Sequence, residues 1–137
     1  MGRKFESYLG SLKYRDNEIY LFFFAAVFFI YILFSYSSGR YYIGHTPDVQ
    51  KRLHEHNNPL RPDKYTAKHL PWTMRLSFKV SPLRGEAMIV ERFIKKQKSK
   101  TFIENLIAQK DNQEYFEALV KNILSRKLVR AIPRTRD

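Results

Sequence analysis

An unbroken apolar run, Ile19 to Phe34, leads into Ser35-Tyr36-Ser37-Ser38-Gly39 and then Arg40-Tyr41-Tyr42-Ile43-Gly44. No other feature constrains the fold as much. The run is sixteen residues long, short of the roughly 20 that a helix needs to cross a bilayer. Its second half, Phe28 to Phe34, joins the Ser-Ser-Gly turn and the strand from Arg40 to Gly44 to make a β-hairpin. A strand buried on both faces shows a continuous apolar run instead of alternation. Taken alone, the hairpin is two aromatic-rich strands packing in a core.

The first half of the run raises a different question. Arg3, Lys4, Lys13 and Arg15 precede it, and a basic flank before an apolar stretch has the shape of a signal anchor. Once Phe28 onward is given to a strand, Ile19 to Val27 is nine residues, too short to span a membrane. No small-x-small cleavage pattern follows it. We expect this segment to pack on the domain, in a cytoplasmic protein; a membrane-associated protein, resting on this segment alone, is the less favoured alternative.

The 25 Lys and Arg against 13 Asp and Glu give a formal charge of +12. Such an excess suits a polyanionic partner, nucleic acid or an anionic surface, although some small basic proteins merely stay soluble through their charge. There is no cysteine. Disulfide scaffolds and thiolate zinc sites are thereby excluded, and any metal must be held by oxygen or imidazole ligands.

Beyond the hairpin, Thr46-Pro47-Asp48 reads as a helix start, with Thr46 as N-cap and Pro47 in the first helical position. The helix is expected to run from Pro47 to about His56, with Val49 and Leu53 facing the core. Arg52 and His56, four apart, then stand one above the other on a neighbouring face. Such a pair is more often surface than site.

Further residues decide between the two. Tyr31, then Tyr41-Tyr42-Ile43-Gly44, Thr46, Arg52-Leu53 and His56-Asn57 fit the string Tyr-Tyr-Ile-Gly-x-Thr, five residues, Arg-Leu-x-x-His-Asn. This resembles the GIY-YIG nuclease superfamily, in particular its small single-domain bacterial members related to the excinuclease C nuclease domain. Phe29-Ile30-Tyr31 departs from the first tripeptide of the name at Phe29; only the final Tyr of that tripeptide is expected to do chemistry. The resemblance covers Phe28 to about Gln109.

Downstream, Asn57 to Pro71 is a polar, proline-punctuated loop with Arg61, Lys64, Lys68 and His69. Trp72 to Val80 alternates loosely and makes a third strand, with Trp72, Met74, Leu76 and Phe78 expected on one face. Ser81-Pro82 opens a second helix whose Leu83, Ala87, Val90 and Ile94 form a core stripe. Glu91 lies at the edge of that stripe, where the plain account is an i,i+4 ion pair with Lys95. The basic run from Lys95 to Lys100 precedes a short helix from Thr101 to Gln109. An amphipathic helix follows from Asn112 to about Leu128, with Phe116, Leu119, Val120, Ile123 and Leu124 on its apolar side, and then a basic tail.

These elements make an α/β chain of the α+β kind, a small three-stranded sheet beginning with a β-hairpin and flanked by three or more helices. We expect an N-terminal extension over 1–27, a nuclease domain over 28–109 and a C-terminal helix with a basic tail over 110–137. The resemblance implies a divalent-metal-dependent DNA endonuclease that hydrolyses phosphodiester bonds, in DNA repair or recombination. It implies one Mg²⁺ (or Mn²⁺) on Glu91, Arg52 on the scissile phosphate, Tyr31 as general base with Tyr42 positioning the water, and His56 holding a tyrosine or phosphate. Gly44 is expected because a side chain there would block the backbone's close approach at the end of the hairpin. Lys51, Arg61, Lys64, Lys68, Lys95, Lys96 and Lys98 are the expected phosphate contacts on DNA. The rival is a non-catalytic nucleic-acid-binding protein on the same scaffold.

Overall fold

β1 (Phe28–Ser35) is the central strand of a three-stranded sheet, with β2 (Arg40–Thr46) on one side and β3 (Trp72–Ser81) on the other, both antiparallel to it. The computed structural model describes residues 26–131. Four helices complete the fold: α1 (Val49–Asn57), α2 (Arg84–Lys96), α3 (Lys100–Ala108) and α4 (Gln113–Ala131). A short 3₁₀ turn, Tyr65–His69, interrupts the loop before β3. The expected three-stranded α+β architecture with its opening hairpin is what forms.

The central position of β1 explains its apolar run. Ile30, Tyr31, Ile32 and Leu33 are all buried, so consecutive residues lose water on both faces. The turn closes on Gly39, whose φ of +66° is left-handed backbone suited to glycine, and its N–H donates to Ser35 O at 2.7 Å. Residues 19–25 of the apolar run, the basic flank before them and the tail beyond residue 131 lie outside the described residues. Among the described residues no helix is long and apolar enough to cross a membrane.

Alternation divides the sheet into two faces. On one, Ile30, Ile32, Ile43, Leu76 and Phe78 join Val90 and Ile94 of α2, Leu106 and Ile107 of α3, and Phe116, Val120 and Ile123 of α4. Phe78 stacks on Phe116 with centroids 4.5 Å apart, so α4 is built into the main core. On the other face, Tyr31, Leu33 and Trp72 form a smaller cluster with Tyr42, Leu53, Leu70 and Met74, covered by α1.

Three local expectations are corrected. The third strand does not keep Trp72, Met74, Leu76 and Phe78 on one face: Ile32 pairs with Leu76 while Leu33 pairs with Met74, leaving Arg75 as an extra residue. That β-bulge shifts the alternation, sending Trp72 and Met74 to the α1 face and Leu76 and Phe78 to the other. Helix α1 is capped by Asp48, which accepts from Lys51 N at 3.0 Å, while Thr46 ends β2 and receives Asp48 N at 3.1 Å. The apolar stripe of α2 begins at Ala87, because Leu83 stands before the helix and is exposed. Ser81 is the last residue of β3; its hydroxyl accepts from Leu83 N at 3.0 Å and donates to Glu86 Oε1 at 2.6 Å.

Candidate active site

Register brings the first two site residues together. Tyr31 of β1 pairs directly with Gly44 of β2, and the tyrosine ring crosses the space a side chain at 44 would fill. A Cβ built on Gly44 would lie 2.4 Å from the Tyr31 hydroxyl oxygen and 2.6 Å from its Cζ. Glycine is required there for a different reason from the one expected: it makes room for the Tyr31 ring, not for an approaching backbone.

Helix α1 brings the next two. Arg52 Nε donates to the Tyr31 hydroxyl at 3.4 Å, and His56 Nε2 lies 2.8 Å from the same oxygen. The guanidinium can only donate, so the tyrosine oxygen accepts from Arg52; its own proton goes to His56 in the tautomer whose Nε2 carries no hydrogen. The end of α1 is tied to β3 through Asn57, whose side chain accepts from Trp72 N at 2.7 Å and donates to Trp72 O at 2.9 Å. That double hydrogen bond fixes where His56 stands. Tyr42 closes the cluster, its ring edge-on to His56 at 4.7 Å and 6.2 Å from the Tyr31 ring.

Burial tunes these groups. His56 is buried, and loss of water, followed by the charge of Arg52, pulls its pKa down to about 4, so the imidazole is neutral near pH 7. Tyr31 is only 1% exposed. Burial pushes its pKa well above the ordinary tyrosine value, with the Arg52 hydrogen bond opposing. Near pH 7 Tyr31 is therefore the neutral phenol, held between Arg52 and His56.

Glu91 reaches the site from the other side of β2. Successive strand residues point to opposite faces, so His45, next to Gly44, faces α2 and meets Glu91. The Glu91 carboxylate is hydrogen-bonded to His45 Nδ1 through Oε2 and takes the Lys95 ammonium on Oε1 at 2.6 Å. Arg84 Nε donates to the remaining His45 nitrogen, Nε2, at 3.4 Å. Burial would raise the Glu91 pKa, but Lys95 and His45 hold it below the usual range, so the carboxylate is ionised. Its charge is felt at Tyr31.

Tyr31, Tyr42, Gly44, Arg52 and His56 thus form one contiguous cluster, with Glu91 beside it. The ion pair with Lys95 foreseen as the plain account of Glu91 is also present. Lys51, Arg61, Lys64, Lys68, Lys95, Lys96 and Lys98 are all exposed; Arg61 is paired with Asp63 at 3.1 Å. His45 went unnoticed in the sequence. Its signal was the strand period itself, which puts the residue after Gly44 on the α2 face. A cavity of about 380 Å³ opens beside the cluster, lined by Tyr42, Arg52 and His56 and by the loop from Asn58 to Thr66.

Among the described residues no group of three or more His, Asp or Glu side chains could enclose a metal ion. The ionised Glu91 carboxylate is nevertheless an oxygen ligand that suits an ion keeping most of its waters, the habit of Mg²⁺, while both His45 nitrogens are already hydrogen-bonded and leave the imidazole to orient that carboxylate. Lys95, whose side chain is half exposed, is free to turn away from Glu91 as such an ion enters.

Comparison with known proteins agrees with this geometry. The model of the GIY-YIG family, described as the GIY-YIG catalytic domain, matches residues 27–105. Two curated relatives match, both named structure-specific endonuclease subunit SLX1, from Cryptococcus neoformans var. neoformans serotype D strains JEC21 / ATCC MYA-565 and B-3501A. Each is 29% identical over 87 residues, which is 63% of this chain and 17% of the relative, so the chain spans a small part of the length of the relatives it matches. No solved structure matches. With a family match over more than half of its length and the tyrosine, glycine, arginine and histidine of the motif gathered on one sheet face, the chain belongs to the GIY-YIG catalytic-domain family and is a nuclease.

Proposed function

We propose that this nuclease is a divalent-metal-dependent DNA endonuclease acting in DNA repair or recombination. The observation that carries the reading is the chain from Arg52 Nε through the Tyr31 hydroxyl to His56 Nε2, at 3.4 and 2.8 Å, beside a solvent-open cavity. The relatives' name, structure-specific endonuclease subunit, supports a DNA substrate. A chain without cysteine is compatible with a reducing cytoplasm, where we place it.

Arg52 binds the scissile phosphate through its outer nitrogens, which exchange their exposed partner Glu55, at 3.0 Å, for phosphoryl oxygens. Tyr42 and Tyr31 orient the attacking water. As the water oxygen bonds to phosphorus and the bond to the 3′ oxygen breaks, the water proton passes to Tyr31 and the tyrosine's own proton to His56. A phosphate on Arg52 neutralises one of the charges that depress the His56 pKa, and so makes that imidazole a better acceptor during the reaction. Glu91 would hold one Mg²⁺ or Mn²⁺, with His45 orienting the carboxylate. When bound, the ion supplies charge neutralisation at the phosphate and at the leaving oxygen.

The test is purified protein on supercoiled plasmid, branched DNA and single-stranded DNA, with Mg²⁺, Mn²⁺ or EDTA. Cleavage is expected with metal and none with EDTA or with Glu91→Ala. Cutting that survives either change overturns the one-metal scheme. Salt-sensitive binding without cleavage under every condition identifies the non-catalytic rival.

A further inference from the structure

Leu60 is 99% exposed and Tyr65 46% exposed, two of four large apolar side chains left in water among the described residues. Both line the cavity that holds Tyr42, Arg52 and His56. We propose that this cavity is a subsite for one unpaired nucleotide of DNA, its base received between Leu60 and Tyr65 while the adjoining phosphate lies on Arg52. The proposal rests on the endonuclease reading above and names the class of DNA that reading left open.

Size, chemistry and support agree with a nucleotide. The volume of about 380 Å³ falls at the small end of ligand pockets. Arg52 and Lys64 in its lining suit a phosphodiester backbone once Arg52 exchanges Glu55, which also lines the cavity, for phosphate, whereas Leu60 and Tyr65 suit the face of a base. The Tyr65 ring leans on His69, with centroids 4.6 Å apart, and His69 in turn faces Trp72 at 6.2 Å. The Trp72 indole N–H donates to Thr66 O at 2.8 Å, anchoring the loop beside Tyr65. Tyr65 is thus braced by His69, whose ring is tilted 54° to its own, and stays half exposed, as a stacking platform must be. In a duplex both faces of a base are covered by its neighbours, so a base reaches such a platform only when it is unpaired or flipped out. The substrate that fits is DNA with a single-stranded nucleotide beside the cut: a fork, flap or bubble.

Binding of forked DNA carrying 2-aminopurine in its single-stranded arm next to the junction tests this, with fully paired duplex as the control and EDTA present throughout. Wild type is expected to change the fluorescence of the forked probe only. Tyr65→Ala is expected to abolish that change and weaken binding of the fork by ~5- to 100-fold, the range for losing one base–aromatic stack. Tyr65→Phe should keep both, Leu60→Ala should weaken the fork several-fold, and duplex binding should be unaltered in all three. Both side chains are exposed, so the variants keep the core intact. Equal losses on fork and duplex, or a Tyr65→Ala protein that binds the fork like wild type, overturns the proposal. A Tyr65-dependent preference for the fork without cleavage in Mg²⁺ or Mn²⁺ upholds the subsite and overturns the endonuclease reading; cleavage that is indifferent to Tyr65 does the reverse.

Discussion

The two faces of the sheet are built from alternate residues of the same strands, yet they do different work. Toward α2, α3 and α4 the strands present Ile30, Ile32, Ile43, Leu76 and Phe78, and the covering helices answer with hydrocarbon. Toward α1 they present Tyr31, Tyr42 and Trp72, and the helix answers with Leu53, Arg52 and His56. A hydroxyl and an imidazole are buried on this second face because each satisfies the other. Stability is concentrated on one face, and so the other can keep polar groups away from water at fixed pKa values. Glu91 and His45 sit where the two meet: they come from the apolar side, but the Glu91 charge acts on the polar one.

Substitutions on each face separate stability from chemistry. The largest effect belongs to Phe116→Ala, which removes the ring stacked on Phe78 and is expected to lower unfolding free energy by ~3–5 kcal/mol in urea titration. Cleavage per folded molecule should be preserved; a matching loss of rate would break the division between faces. Next come Arg52→Ala and Glu91→Gln, expected to reduce cleavage on the order of 100- to 1,000-fold, with urea midpoints close to wild type. Should either instead unfold the protein, the polar face would prove to be structural.

His56 sharpens the comparison through pH. Its folded-state pKa, about 4, lies below the ordinary 6.5, so between those values the unfolded chain binds more protons than the folded one. The contribution of His56 is whole above pH 6.5 and is lost as pH falls toward 4, amounting to on the order of 2–3 kcal/mol. Urea titrations at pH 7 and pH 4.5 should show a smaller acid loss in His56→Gln than in wild type. Gly44→Ala is expected to cost less than Phe116→Ala. The new methyl group meets the Tyr31 hydroxyl, and overpacking of this kind costs about 1–3 kcal/mol. It should also reduce cleavage, because Tyr31 must turn away from His56. Unchanged activity in this variant would remove Tyr31 from the reaction.

Much of this was legible in the chain. The hairpin followed from an apolar run closed by Ser-Ser-Gly, while the register that puts Tyr31 opposite Gly44 came from the structure. Helical spacing put Arg52 and His56 on one face and Glu91 at the edge of an apolar stripe, and the resemblance to the GIY-YIG nucleases, not the spacing, marked them as site residues. Less legible were the features that depend on a distant partner. Arg75 bulges because β3 must match β1 across two clusters, and no local pattern in Trp72–Ser81 announces it. Asp48 caps α1 in place of Thr46 because Thr46 is held as the last residue of β2.

The sequence by itself determined roughly where each candidate site residue lies along its strand or helix, since that depends on periods of two and 3.6 residues, and its motif marked which of them to expect in a site. The tertiary structure alone decided what surrounds them. It placed Glu91 between His45 and Lys95, buried His56 until its imidazole stayed neutral, and made Gly44 a clearance for the Tyr31 ring. Burial and contact between residues far apart in the chain arise only when the sheet and helices close on one another, and that closure turns the tyrosine at position 31 from a core aromatic into a member of a hydrogen-bonded site.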